Sequence, residues 1–175
     1  MNTLRAFSLW IDNINEKVGR FVSWAALLLV LVTFSDVVMR YVFSTSYVFV
    51  QELEWHVFAF LFLMGAGYTL KVDGHVRVEV FYGRFSRRGK AWINFIGVLF
   101  FLLPSCYVFI RTSIPFVIKS FQYMEGSPDP GGIPYRFILK SCIPAGYALI
   151  LLQGVSLGIT SLLDLVVDGE TKKGD

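Results

Sequence analysis

The sequence predicts an all-α integral membrane protein with four transmembrane helices. Of its 175 residues, 55% are hydrophobic and only 17% are charged, whereas soluble domains are about 45–50% apolar and about 25% charged. Four apolar runs each approach the length of about 20 residues that an α-helix needs to cross a bilayer. The runs are apolar on nearly all sides, whereas a helix of a soluble bundle keeps a polar face toward water.

The same composition excludes or disfavours other classes of protein. A disordered chain would carry more charge and less apolar surface. Two cysteines in a chain of this length are too few for a disulfide-stapled secreted module. The net charge of +3 is small and its cations form no continuous stripe, which disfavours a nucleic-acid binder.

The first predicted element is an N-terminal amphipathic helix over residues 3–18. Its apolar residues recur at spacings of three and four, the period of one helical face; they are Leu4, Phe7, Ile11, Ile14 and Val18. We interpret this segment as a helix lying in the cytoplasmic interface with its apolar face toward lipid. Packing of the same face on a partner protein is an alternative that the periodicity leaves open.

The four predicted spans and a C-terminal tail follow at about residues 19–40, 48–70, 91–113, 140–163 and 164–175. Before the third span, residues 74–82 alternate apolar and polar, which fits either a strand or a short interfacial helix. The loop at 114–139 is rich in Gly and Pro, which indicates ordered turns and a candidate docking surface. Pro104 predicts a kink in the third span, and Pro144 predicts the start of the fourth.

The distribution of Lys and Arg predicts the orientation in the membrane. With four spans, the N-terminus, the 71–90 loop and the C-terminus share one side, which carries 11 of these residues against 5 on the other. The positive-inside rule places the more basic side in the cytoplasm. Both termini are therefore predicted to be cytoplasmic, and the 114–139 loop is predicted to face outward.

Ionisable residues at the outer ends of the first two spans are the main candidates for chemistry. Asp36 and Arg40 are four residues apart and share a helix face, as do Glu52 and His56. A cluster across the two helices is geometrically reasonable. It fits a salt bridge that locks the hairpin near the interface, where charges reach water easily. Ionisable groups in a membrane also suggest a proton or ion site.

No nucleophile paired with a base, no phosphate-binding loop and no metal-ligand cluster occurs in the sequence. We therefore expect neither an enzyme nor a bound cofactor. A haem needs two axial ligands at similar depth, whereas His56 and His75 are predicted at opposite membrane faces. Cys106 and Cys142 are 36 residues apart and are interpreted as buried free thiols.

Small residues predict where helices pack closely. Gly154 and Gly158 form a GxxxG motif in the fourth span, and Gly146 falls on roughly the same face. Gly65 adds a small residue in the second span. Gln153 is the one strongly polar uncharged residue deep in the fourth span, and it is expected to form a hydrogen bond across helices.

Several motifs together resemble the small, DctQ-like (Q-type) membrane subunit of TRAP, or tripartite ATP-independent periplasmic, transporters. The residues that carry the resemblance are Arg40-Tyr41-Val42-Phe43, Gln51-Glu52-Leu53, Gly65-Ala66, Gly74-His75-Val76-Arg77-Val78-Glu79-Val80 and Ile143-Pro144-Ala145-Gly146. The similarity extends over roughly residues 21–163. One departure is Gln51, where the family commonly has an acidic residue before Glu52.

The resemblance implies a sodium-coupled importer of organic acid anions in the bacterial inner membrane. In such a complex a periplasmic binding protein delivers the solute, and a large M-type subunit carries the substrate and sodium sites. The small subunit is then a non-catalytic scaffold that braces the large subunit and helps dock the binding protein. By matching position, we expect Arg40, Glu52, His75 and Arg77 to contact another subunit or a membrane phospholipid.

Two other functions remain open from the residues alone. A stand-alone four-span transporter would use Asp36 or Glu52 as a proton-coupled site and would act without partners. A quinone or haem anchor would show a visible absorbance spectrum. The transported anion is open among dicarboxylates, keto acids, sugar acids and small sulfonates.

Overall fold

The computed structural model of the chain describes residues 2–74 and 85–171. These residues form helices joined by turns, in the order α1 (Asn2–Tyr41), α2 (Val48–Lys71), α3 (Arg87–Gly97), a π-helical turn (Val98–Leu102), α4 (Leu103–Gln122) and α5 (Phe137–Thr171). Four stretches are long and apolar enough to cross a membrane: Thr3–Tyr41, Val48–Lys71, Arg87–Gln122 and Phe137–Val166. The predicted all-α fold with four spans is confirmed.

The polarity of the bundle is inverted relative to a water-soluble protein. Large apolar side chains such as Phe21, Trp24 and Phe101 are 71–72% exposed. In contrast, the described interior contains charged and polar side chains, including Asp36 at 4% exposure and Gln153 at 4%. Water-soluble proteins rarely expose such extensive apolar surface, so this exterior fits the hydrocarbon of a bilayer.

Helix α5 is the centre of the bundle and packs against α1, α2 and the α3–α4 segment. Glycine allows its closest approach to α2, because a Cβ atom on Gly146 would lie 2.4 Å from the backbone oxygen of Leu63. Gly154 and Gly158 face the α3–α4 segment at Leu102 and Val98. At these contacts the small residues bring helices within the chain together.

The third span is irregular where it turns from α3 into α4. Its π-helical turn, Val98–Leu102, ends two residues before Pro104. Because proline lacks an N–H group and clashes with the preceding turn, a local widening of the helix accommodates it. Pro144, in contrast, lies seven residues inside α5. The prediction that it starts the last helix is wrong, since that helix already begins at Phe137.

The N-terminal segment is helical but continues into the first span as one helix, α1. On the predicted apolar stripe, Leu4 and Phe7 are nearly half exposed, whereas Ile11 is buried. The buried residues on this part of α1 are Ser8, Ile11 and Asn15. Ser8 turns inward because Ser156 of α5 offers it a hydrogen-bond partner. The placement of residues 3–18 in the membrane interface stays a prediction.

The connections differ in part from their predicted bounds. Helix α4 reaches Gln122 and α5 begins at Phe137, so the predicted 114–139 loop shortens to residues 123–136. We call this segment the 123–136 loop and its side of the molecule the loop end; the opposite side, with the N-terminal half of α1, is the terminal end. The alternating segment at 74–82 lies almost wholly outside the described residues, as do His75 and Arg77.

Candidate functional site

Glu52 at the loop end anchors the 123–136 loop to α2. Its side chain is 5% exposed in the first turns of the helix. The Ser127 hydroxyl donates a hydrogen bond to Oε1 at 2.5 Å, and the Ile133 backbone N–H donates to Oε2 at 2.5 Å. Hydrogen bonds to an ionised carboxylate are stronger than neutral ones, so both carboxylate oxygens hold the loop.

The loop folds around this carboxylate because its turn residues leave room for it. A Cβ atom on Gly132 would lie 2.4 Å from the Ser127 hydroxyl and 2.7 Å from Glu52 Oε2, so no larger residue fits there unchanged. Gly131 has a φ of +82°, a conformation that side chains disfavour. The Ser127 N–H donates to the Ile133 carbonyl at 3.1 Å and closes the loop.

Two cationic side chains complete the loop anchor, one at the last residue of the loop and one in the first turn of α5. Arg136 lies 3.9 Å from Glu52 Oε1, and its guanidinium sits 5.1 Å from the centre of the Trp55 ring. The backbone N–H of Arg136 also donates a hydrogen bond to the backbone carbonyl of Glu125 at 2.8 Å. The Glu125 carboxylate forms an ion pair with Lys140. The loop is therefore tied to α2 at Glu52 and to α5 at Lys140.

Acidification should weaken the ion pair between Glu125 of the loop and Lys140 of α5. The hydrogen bond from Lys140 lowers the pKa of the Glu125 carboxyl from its usual 4.5. A carboxyl with a lowered folded-state pKa stabilises the fold above its unfolded pKa, and this stability is lost as pH falls through the folded value. We expect Tm to fall below about pH 4.5, and Glu125→Gln to reduce this fall. Melting curves from pH 7 to pH 3 test it, and parallel curves for both proteins would contradict it.

The ionisable residues of the first two spans form two separate groups. Asp36 is buried and pairs with the half-exposed Arg40 on the next turn of α1. Glu52 faces the loop instead, and within residues 2–74 and 85–171 no ion pair joins it to Arg40. His56 contacts the turn before it through Nδ1, which is 2.7 Å from the Glu52 backbone oxygen. The single cross-helix cluster considered above does not form.

A second polar network links α1 to α5 at the terminal end. Ser156 donates to Asp12 Oδ1 at 2.7 Å, and its hydroxyl lies 2.6 Å from the Ser8 hydroxyl. The Gln153 amide donates to the same Asp12 oxygen at 2.8 Å. Gln153 thus forms the cross-helix hydrogen bond expected of it. Ser8 and Asp12 were not predicted as contacts between helices. Two polar residues one turn apart in an apolar pattern could have indicated them.

The residues that surround Glu52 were also missed. Sequence composition predicts ordered turns in the 114–139 loop, but the loop residues that contact Glu52 lie 75 and 81 residues after it in the chain. The sequence indicates Glu52 as an acidic residue at the membrane edge and, separately, a loop rich in Gly and Pro. Only the fold brings the two into contact.

The family model described as "Tripartite ATP-independent periplasmic transporters, DctQ component" matches residues 8–163, which include both polar networks. The chain belongs to this family. The DctQ family supplies one component of a tripartite periplasmic transporter, and with four apolar helices the chain is a multi-pass protein of the bacterial inner membrane.

Two relatives agree with this membership. The C4-dicarboxylate TRAP transporter small permease protein DctQ of Vibrio cholerae is 25% identical over 186 residues, covering 94% of this chain and 79% of the relative. A putative TRAP transporter small permease protein of Haemophilus influenzae is 30% identical over 115 residues, covering 65% of this chain and 70% of the relative.

Proposed function

We propose that this DctQ-family chain is the non-catalytic scaffold subunit of a sodium-coupled, binding-protein-dependent importer of organic acid anions. It braces the large M-type membrane subunit, and its 123–136 loop helps dock the periplasmic binding protein. The sites for the substrate and for the sodium ions that drive its transport belong to the other components. C4-dicarboxylates, named for the Vibrio cholerae relative, are the first substrates to test.

The observation that carries the proposal is that buried polar contacts fasten the helices together at both ends of the bundle. At the loop end, Glu52 ties α2 to the loop that leads into α5. At the terminal end, Asp12 joins α1 to Gln153 and Ser156 of α5. Sliding of one helix past another would leave these groups unpaired in a low-dielectric interior, which is costly. The bundle suits a fixed support for a moving transport subunit.

Exposed side chains at the loop end support a docking role. Tyr123, Met124 and Tyr135 are between 49% and 82% exposed around the anchored loop. If both termini are cytoplasmic, as the positive-inside rule predicts, these residues face the periplasm. Aromatic residues and Met are typical of protein interfaces. A loop whose backbone is already fixed loses little conformational freedom on binding.

The two acidic residues considered for a stand-alone transporter both have partners within the chain, which supports a scaffold instead. Asp36 is paired with Arg40, and Glu52 is held by the loop. A proton-coupled carrier needs a carboxylate that is released and reprotonated in each cycle. Arg40 is half exposed at the end of α1, and we propose that it contacts the large subunit or a phospholipid headgroup. The same assignment for His75 and Arg77 stays a prediction.

Reconstitution into liposomes tests the proposal. This chain, the large subunit and the binding protein are combined singly and together, and dicarboxylate uptake is measured under an imposed sodium gradient. We expect uptake only with the complete set. Uptake by this chain alone, driven by a proton gradient, would establish the stand-alone transporter instead. Full uptake by the large subunit and binding protein without this chain would remove the bracing role.

A further inference from the structure

The polar network at the terminal end contains two buried oxygen atoms without a hydrogen-bond donor. Asn15 is 1% exposed and Gln153 is 4% exposed. Among the described residues, neither Asn15 Oδ1 nor Gln153 Oε1 has a partner. Buried polar atoms are nearly always satisfied, and an exception often marks a bound water or ion.

The hydrogen bonds of the nitrogen atoms favour one orientation of each amide group, strongly for Gln153 and weakly for Asn15, whose bond is long. Asn15 Nδ2 donates to the Ile11 carbonyl at 3.5 Å, and Gln153 Nε2 donates to Asp12 at 2.8 Å. Exchanging nitrogen and oxygen in either amide would place oxygen against oxygen. The two free atoms are therefore oxygens in the favoured orientation, and both can only accept a donor or coordinate a cation.

The oxygens belong to a junction of α1, α2 and α5. Asn15 follows Asp12 by one turn on α1, and its Oδ1 faces Gly67 of α2, where a Cβ atom would lie 2.2 Å away. Leu149 of α5 lies against the same glycine, one turn before Gln153. Gln153 and Ser156 of α5 both bond Asp12, and Ser156 contacts Ser8, so the junction continues into the polar network of α1 and α5.

We propose that this junction binds a monovalent metal cation of the size of Na⁺ or K⁺, with Asp12, Asn15 and Gln153 as the principal ligands. Carboxylate and carbonyl oxygens are the ligands of hard cations. Asp12 supplies one formal negative charge and the amides supply none, which matches a single positive charge. Divalent cations generally take more carboxylates or retain several waters. The cation would join three helices at the end opposite to the loop anchor.

A cavity reaches the proposed site at Asp12. It has a volume of about 300 Å³ and is lined by Asp12 and Ser8 of α1 and by Thr160 and Asp164 of α5. Arg5 stands on its wall. Asp12 belongs both to this cavity and to the junction, so a cation that enters the cavity reaches the carboxylate first.

Thermal unfolding of the full chain in detergent tests the site. Tm is measured in NaCl, in KCl and in choline chloride at equal ionic strength. We expect NaCl or KCl to raise Tm saturably over choline chloride by about 2–4 °C. Asn15→Ala and Asp12→Asn should each abolish this difference between salts. The difference is taken within each variant, so any intrinsic loss of stability cancels.

Glu16→Gln is the matched control, because Glu16 lies on the same helix but pairs with Arg20 and Lys71. It should retain the full response to the metal cation. Equal Tm values in all three salts would overturn the proposal and assign the orphan oxygens to water. A response that survives Asn15→Ala, or that only Mg²⁺ produces, would also overturn it. If Asp12→Asn does not fold, Asn15→Ala decides alone.

Discussion

Gly146→Ala is expected to destabilise the bundle by about 1–3 kcal/mol, at the upper end of this range. The added Cβ would lie 2.4 Å from the Leu63 backbone oxygen and 2.9 Å from its carbonyl carbon. A backbone cannot rotate away as a side chain can, so α2 must move off α5. That movement loosens the packing on which the central helix depends. Thermal unfolding and size-exclusion chromatography in detergent measure the effect.

Gly65→Ala is the matched control for this change. A Cβ atom on Gly65 meets nothing nearer than Val22 at 3.9 Å, which is ordinary van der Waals contact. We expect Tm to stay the same or rise slightly, because alanine favours the helix by about 1 kcal/mol. Equal losses for both variants would show that the Leu63 contact does not limit the approach of α2 and α5. If Gly65→Ala impairs only assembly with the large subunit, that glycine lies at the interface between subunits.

Glu52→Gln is expected to release the 123–136 loop and to lower the yield of the assembled transporter. The amide keeps the size of the side chain, but one carboxylate oxygen becomes an N–H₂ group. That group would face either the Ser127 hydroxyl or the Ile133 N–H, both of which donate to Glu52. The negative charge near Arg136 is lost as well. We expect Tm to fall by several degrees and proteases to cut the loop faster.

Gln51→Ala serves as the control, because Gln51 is the exposed neighbour of Glu52 and its side-chain amide donates to the nearby Ser46 hydroxyl rather than to the loop. Loop cleavage and complex yield should be unchanged in this variant. Normal complex yield and transport in Glu52→Gln would contradict the assignment of Glu52 to assembly, even if the loop became more accessible.

The four spans could be predicted from the sequence because length and apolar composition are local properties. The buried face of α1 could not be predicted in the same way. The spacing of the apolar stripe identifies a surface for lipid, but it does not show which polar residues face another helix. In the structure Leu4 and Phe7 are nearly half exposed, Ser8 turns toward Ser156 of α5, and Asn15 turns toward Gly67 of α2.

The loop anchor was only half predictable for a different reason. Glu52 stood out as an acidic residue at a membrane edge, and the turn residues of the loop stood out by composition. Their contact depends on how α2 and α5 pack side by side, which no local pattern encodes. Pro144 shows the same limit. Its local preference is for a helix start, but α5 begins at Phe137 and Pro144 lies inside it.

The unbroken length of α1 has a mechanical consequence. Forty residues at a rise of about 1.5 Å each make a rod of about 60 Å, twice the roughly 30 Å depth of the hydrocarbon core. Such a rod must lean steeply or project well beyond one leaflet. Either way its two tips sample different depths and lateral positions, so a change in bilayer thickness alters its slope. The lipid environment thereby shifts the whole assembly through the tilt of α1.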